Sequence, residues 1–157
     1  MIGRGLCVIA SLLTLTLFLA GCPFGDCWGT ADITVSIAMS LSPASGVQVL
    51  VAEVIQIYGS DVTGTSPEGL PIGPRAAEPR MLEVTFDSAT GTGHARDDMT
   101  DQYPTWYYAF VDLNGNRLLD SGEPFGTDPK NPSTSSNGPS CKSQHYQGAI
   151  TIDRKLP

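Results

Sequence analysis

A chain of 157 residues, 41% hydrophobic and 16% charged, suits one globular domain and excludes a multi-domain machine. Its 17 Gly and 12 Pro interrupt the chain too often for long helices, coiled coils or helical repeats, so short strands joined by many turns are expected. A formal net charge of −7 removes nucleic acid as a partner, because a protein that follows a phosphate backbone needs a basic face.

Residues 1–21 carry one charge, Arg4, ahead of an apolar run over 6–20. That run is shorter than the ~20 residues a helix needs to cross a bilayer, so a removed secretory signal peptide is predicted rather than a membrane span. It ends in Leu19-Ala20-Gly21-Cys22, which resembles the lipobox of bacterial lipoproteins. The resemblance implies that Cys22 becomes the first residue of the mature protein and carries acyl chains, each adding about 0.8 kcal/mol of membrane affinity per buried CH2. It also implies a place in the bacterial cell envelope, anchored to a membrane through the N-terminal lipid. Residues 22–30 then form a short tether, and 31–157 the folded domain. With Cys7 removed and Cys22 lipidated, Cys27 and Cys141 are left in an oxidising compartment. Pairing them would add about 4–5 kcal/mol on the chain-entropy model; two free thiols or a bond to a partner chain are the alternatives.

The first strand is predicted where Ile33, Val35, Ile37, Met39 and Leu41 alternate with Thr34, Ser36, Ala38 and Ser40, a period of two that a helix cannot bury on one face. Residues 47–58 match both periods, and their many Val and Ile decide for a buried strand. Residues 59–79 are rich in Gly, Pro, Ser and Thr and read as a long surface loop. Leu82, Val84 and Phe86 alternate with Glu83, Thr85 and Asp87 as one further strand, and a turn over 88–93 leads to a short return. Trp106, Tyr108 and Phe110 alternate with Tyr107, Ala109 and Val111; apolar side chains on both faces place this strand centrally. A second long loop over 127–140 precedes a closing strand at 148–153. The expected fold is all-β, a single antiparallel β-sandwich of prealbumin-like or Ig-like type.

One segment carries chemistry. Over 112–123, Asp112, Asn114, Asn116, Asp120 and Glu123 stand at positions 1, 3, 5, 9 and 12 of a twelve-residue loop. This resembles the calcium loop of EF-hands, whose short Asp and Asn oxygens alternate toward the ion while position 12 binds with both carboxylate oxygens. The resemblance implies Asp112, Asn114, Asn116 and Glu123 as side-chain ligands, the carbonyl of Leu118, and Asp120 directly or through water, for a structural calcium ion. Two departures stand out: Arg117 occupies the position usually held by Gly, and Pro124 blocks an exiting helix. The loop is therefore expected in a β context, where the run to Pro124 is similar to loops in B-type and prealbumin-like sandwich repeats of bacterial surface proteins.

Asp97, Asp98 and Asp101 form a second acidic group, read as a solvated turn, with an addition to the calcium site or a second, weaker ion site as the alternatives. His94 and His145 lack HExxH-type spacing, and no GxSxG, phosphate-binding loop or dinucleotide fingerprint occurs. The expectation is a calcium-stabilised binding or structural module of the envelope, not an enzyme, whose long loops meet an envelope protein or glycan. A small-ligand or glycan binder that uses the Trp106 to Tyr108 aromatic strand as a stacking surface is the alternative, with a metal-dependent hydrolase behind it.

Overall fold

A computed structural model describes residues 28–38, 47–87, 89–100, 103–133 and 145–157. The leader, Cys22, Cys27, Cys141, Asp101 and residues 134–140 lie outside the described residues. The described chain forms strands β1 (Trp28–Ile37), β2 (Gln48–Ile55), β3 (Gly64–Thr65), β4 (Pro71–Ile72), β5 (Arg80–Glu83), β6 (Thr85–Asp87), β7 (Thr92–Thr100), β8 (Thr105–Asp112), β9 (Pro124–Thr127), β10 (His145–Ile152) and β11 (Arg154–Lys155). Sheet A runs β10-β1-β7-β6 and sheet B runs β11-β9-β8-β2-β5. The all-β sandwich expected from the alternating patterns is the fold observed.

Alternation explains how the sheets face each other. Ala31, Ile33, Val35 and Ile37 of β1 point inward with Ala95, Ile150 and Ile152, against Val49, Val51, Leu82, Tyr107, Ala109 and Val111 of sheet B. The intervening residues of β1 and β10 are polar or small and leave sheet A's other face in water. Sheet B is covered on both sides, because Leu50, Ala52, Val54, Trp106, Tyr108, Phe110 and Phe125 pack beneath the loops and the C-terminal segment. Strand β8 is accordingly buried at every residue, as its two apolar faces predict.

Several features differ from the sequence reading, among them a nine-residue strand β7 where a short return was expected and the strand β9 where none was. Strand β1 starts at Trp28, so the sheet takes residues assigned to the tether. Residues 59–79 are not irregular: they hold the β3–β4 hairpin and a 3-10 turn, Pro74–Ala77, with Ser66 Oγ accepting the amides of Glu68 at 3.2 Å and Leu70 at 3.3 Å. The strand expected around Val84 is two strands, since β5 pairs with β2 in sheet B while β6 pairs with β7 in sheet A. The pairing is antiparallel except that β1 and β10 are parallel neighbours, with Ile33 opposite Gly148.

The sheets nearly touch at one edge. A Cβ on Gly126 of β9 would lie 2.0 Å from the carbonyl oxygen of Thr151 in β10, so only glycine lets these backbones approach.

Candidate functional site

Strand β8 ends at Asp112, and the next eleven residues turn back to Glu123, which immediately precedes β9. Asp112 is buried and organises the turn: its Oδ1 accepts the Gly115 amide at 2.7 Å and its Oδ2 the Arg117 amide at 2.8 Å. The pattern then repeats every two residues. Asn114 Oδ1 accepts the Asn116 amide at 3.0 Å, and Asn116 Oδ1 accepts the Leu118 amide at 2.8 Å. These are the local side-chain-to-backbone bonds that short Asx residues favour.

Glu123 closes the ring. It is also buried, and its Oε1 accepts the Leu113 amide at 2.8 Å while its Oε2 accepts the Asp120 amide at 3.0 Å. Asp120 Oδ2 receives the side-chain amides of Asn114 at 2.8 Å and Asn116 at 2.7 Å. Those bonds, Asn114 first, hold the Asp120 carboxyl below its ordinary pKa. The C-terminal segment braces the loop from below, with Gly122 N donating to Leu156 O at 2.7 Å and Leu156 N to Glu123 O at 3.0 Å.

The two departures of the motif have a structural expression. Arg117 takes φ 63°, the left-handed conformation that Gly normally supplies at this point. Its guanidinium reaches Glu83, with 3.6 Å between Nη1 and Oε1. Pro124 opens β9 rather than a helix.

The donor set suits a hard cation: three carboxylates, two amide oxygens and the Leu118 carbonyl lie on one short loop. A carboxylate or amide oxygen that accepts one N–H keeps a second lone pair. Among the described residues, no three His, Cys, Asp or Glu side chains converge closely enough to hold a metal by themselves. A cation here would draw Asp112, Asp120 and Glu123 inward and displace the Asn amides from Asp120.

A groove of about 300 Å³ lies beside the loop on the covered face of sheet B. Leu118, Leu119 and Asp120 form one wall; Leu70, Pro71, Ala76 and Ala77 of the 59–79 segment line it as well, with Tyr108 and Met81 also exposed to it. Burial pushes the Tyr108 hydroxyl up to about 12. The rest of the aromatic strand offers no open stacking surface, since Trp106 is 6% exposed and Tyr107 fully buried.

Asp97 is neither a solvated turn nor part of the loop. It is buried on β7, whereas Asp98 beside it is exposed. The guanidinium of Arg80 on β5 donates from Nη2 to Asp97 Oδ1 and from Nε to Glu53 Oε2, the latter at 2.6 Å. Glu53 on β2 is buried too, and Tyr107 Oη lies 3.5 Å from its Oε1. Tyr107 stacks on Tyr146 of β10 at 5.6 Å between ring centroids, and Tyr146 Oη donates to buried Asp128 at 2.8 Å. This interior polar layer was missed in the sequence reading. Its signal was a carboxylate on the inward face of a strand: Glu53 follows Val49 and Val51, and Asp97 follows Ala95, at spacing two.

The two histidines are exposed surface groups of sheet A. His145 places Nδ1 2.8 Å from Thr30 Oγ1 and Nε2 3.2 Å from Asp32 Oδ2, and His94 Nδ1 lies 3.4 Å from Thr34 Oγ1. No protein-family model, curated protein or solved structure matches this chain.

Proposed function

We propose that this protein is a lipid-anchored binding module of the bacterial cell envelope, in which calcium stiffens the 112–123 loop. In this reading Cys22 holds the acyl chains, Cys27 and Cys141 form the disulfide, and the domain binds an envelope protein or glycan without transforming it. Asp112, Asn114, Asn116, Asp120 and Glu123 would hold the ion with the Leu118 carbonyl. The ion supplies positive charge that offsets the mutual repulsion of three carboxylates.

The observation that supports binding most is the shared wall. The loop and the 59–79 segment, far apart in sequence, meet at one groove, so ordering the loop also sets the shape of a concave surface. Residues 127–140 would extend the contact surface as expected from their composition.

Thermal unfolding of the full chain in detergent micelles tests the ion. At about 1 mM calcium and a Kd near 10 μM, mass action predicts ~2.7 kcal/mol of stabilisation. That corresponds to a rise in Tm of about 8 °C over chelator for a domain of this size. Glu123→Gln should abolish the rise; equal Tm in calcium and chelator for the wild-type chain would refute the calcium reading.

A further inference from the structure

Two carboxylates meet across the sandwich with one guanidinium between them. Glu53 comes from sheet B and Asp97 from sheet A, and each is 3% exposed or less. Register explains the meeting: Arg80, Glu53 and Tyr107 stand abreast in sheet B, while Asp97, Ala31 and Tyr146 stand abreast in sheet A. The small Ala31 leaves room between the two larger side chains of its row.

The charges do not balance. Arg80 of β5 serves both carboxylates, Tyr107 of β8 offers only a neutral hydroxyl, and Ala31 of β1 offers nothing. Farther along the layer, Tyr146 of β10 is bonded to Asp128, and Lys130 donates to the Gln147 carbonyl at 2.7 Å. The Oδ2 of Asp97 is buried without a hydrogen-bond partner among the described residues. An acceptor stranded in this way costs about 1–3 kcal/mol unless a donor is supplied.

We propose that Glu53 and Asp97 hold one proton between them, the protonated carboxyl donating to the other's oxygen, and that this proton is a pH-operated clasp joining the two sheets at β5 and β7. With it, the cluster is neutral overall and the stranded oxygen has its donor. When the proton leaves to solvent, past the half-exposed Arg80 side chain, a net negative charge stays between the sheets. Water must then enter beside Arg80, and β5 parts from β7. Burial first, then the neighbouring Asp97 carboxyl, pushes Glu53 up to about 7 from its ordinary 4.5, against the opposing pull of Arg80. Because the folded pKa is the higher one, the clasp's stabilisation is complete below pH 4.5 and is lost as pH rises through about 7.

Hydrogen exchange on the full chain in detergent micelles tests this. After correction for intrinsic exchange, amides of β5 and β7 should open about ten- to a hundredfold more readily at about pH 8 than at about pH 5. Glu53→Gln stays neutral at both pH values and can donate to Asp97, so its opening ratio should be near one. A wild-type ratio near one, or an unchanged ratio in Glu53→Gln, would overturn the clasp. Carbon-13 NMR of side-chain carboxyls in the wild-type chain gives a reading that needs no variant: the Glu53 carboxyl should titrate near neutrality. An ordinary carboxylate titration of Glu53 would overturn the proposal equally.

Discussion

Arg117 shows how a single backbone angle sets the worth of a whole loop. At φ 63° a side chain with a Cβ costs about 1 kcal/mol over Gly, and its guanidinium makes an exposed contact with Glu83. Arg117→Gly should therefore stabilise the chain by about 0.5–1 kcal/mol and, under the calcium reading, tighten ion binding, the exposed contact with Glu83 being worth little. Gly115 provides the opposite case, with φ 78° and open space around an added Cβ. Gly115→Ala should cost about 1 kcal/mol through the backbone alone. Denaturant titration of the two variants should give shifts of opposite sign; shifts of the same sign would mean that the angle is not what limits the loop.

At the scale of elements, the sequence revealed what is local and hid what depends on pairing. The hydrogen-bonded turn over 112–123 was legible because its internal bonds run between residues two to ten apart, so a short stretch of sequence encodes them. Strand β8 was legible because both its faces are apolar. The break at Val84 was not: alternation continues smoothly through Leu82, Val84 and Phe86 while the chain passes from one sheet to the other. Strand β7 looked like a short return because its inward positions are Gly93, Ala95 and Asp97, too small or too charged for hydrophobic periodicity to register. Asp97 finds its reason only in Arg80 and Glu53, which come from other strands. The β9–β10 approach is another such pairing effect. Gly126→Ala should cost roughly 3 kcal/mol by forcing the two backbones apart, whereas Gly59→Ala, with open space at its Cβ, should change unfolding by less than about 0.5 kcal/mol.

For the whole molecule, the anchor and the fold make separable claims. Under the lipoprotein reading, cells expressing the wild-type chain should yield protein that enters the detergent-rich phase on cloud-point separation, and Cys22→Ser should move it to the aqueous phase. Equal partition of both would remove the lipid while leaving the calcium reading of the 112–123 loop and the clasp to their own tests. The parallel pairing of β1 with β10 bears on when this fold can exist at all. The first and last long strands of the described chain are neighbours, Thr30 opposite His145 and Ile37 opposite Ile152. Sheet A therefore lacks its β10 strand until more than a hundred residues after β1 have been synthesised, and contacts so distant in sequence place such a fold among those that form in milliseconds to seconds rather than microseconds. A growing chain with this wiring cannot complete its four-stranded sheet until β10 has emerged to lie beside a β1 made long before it.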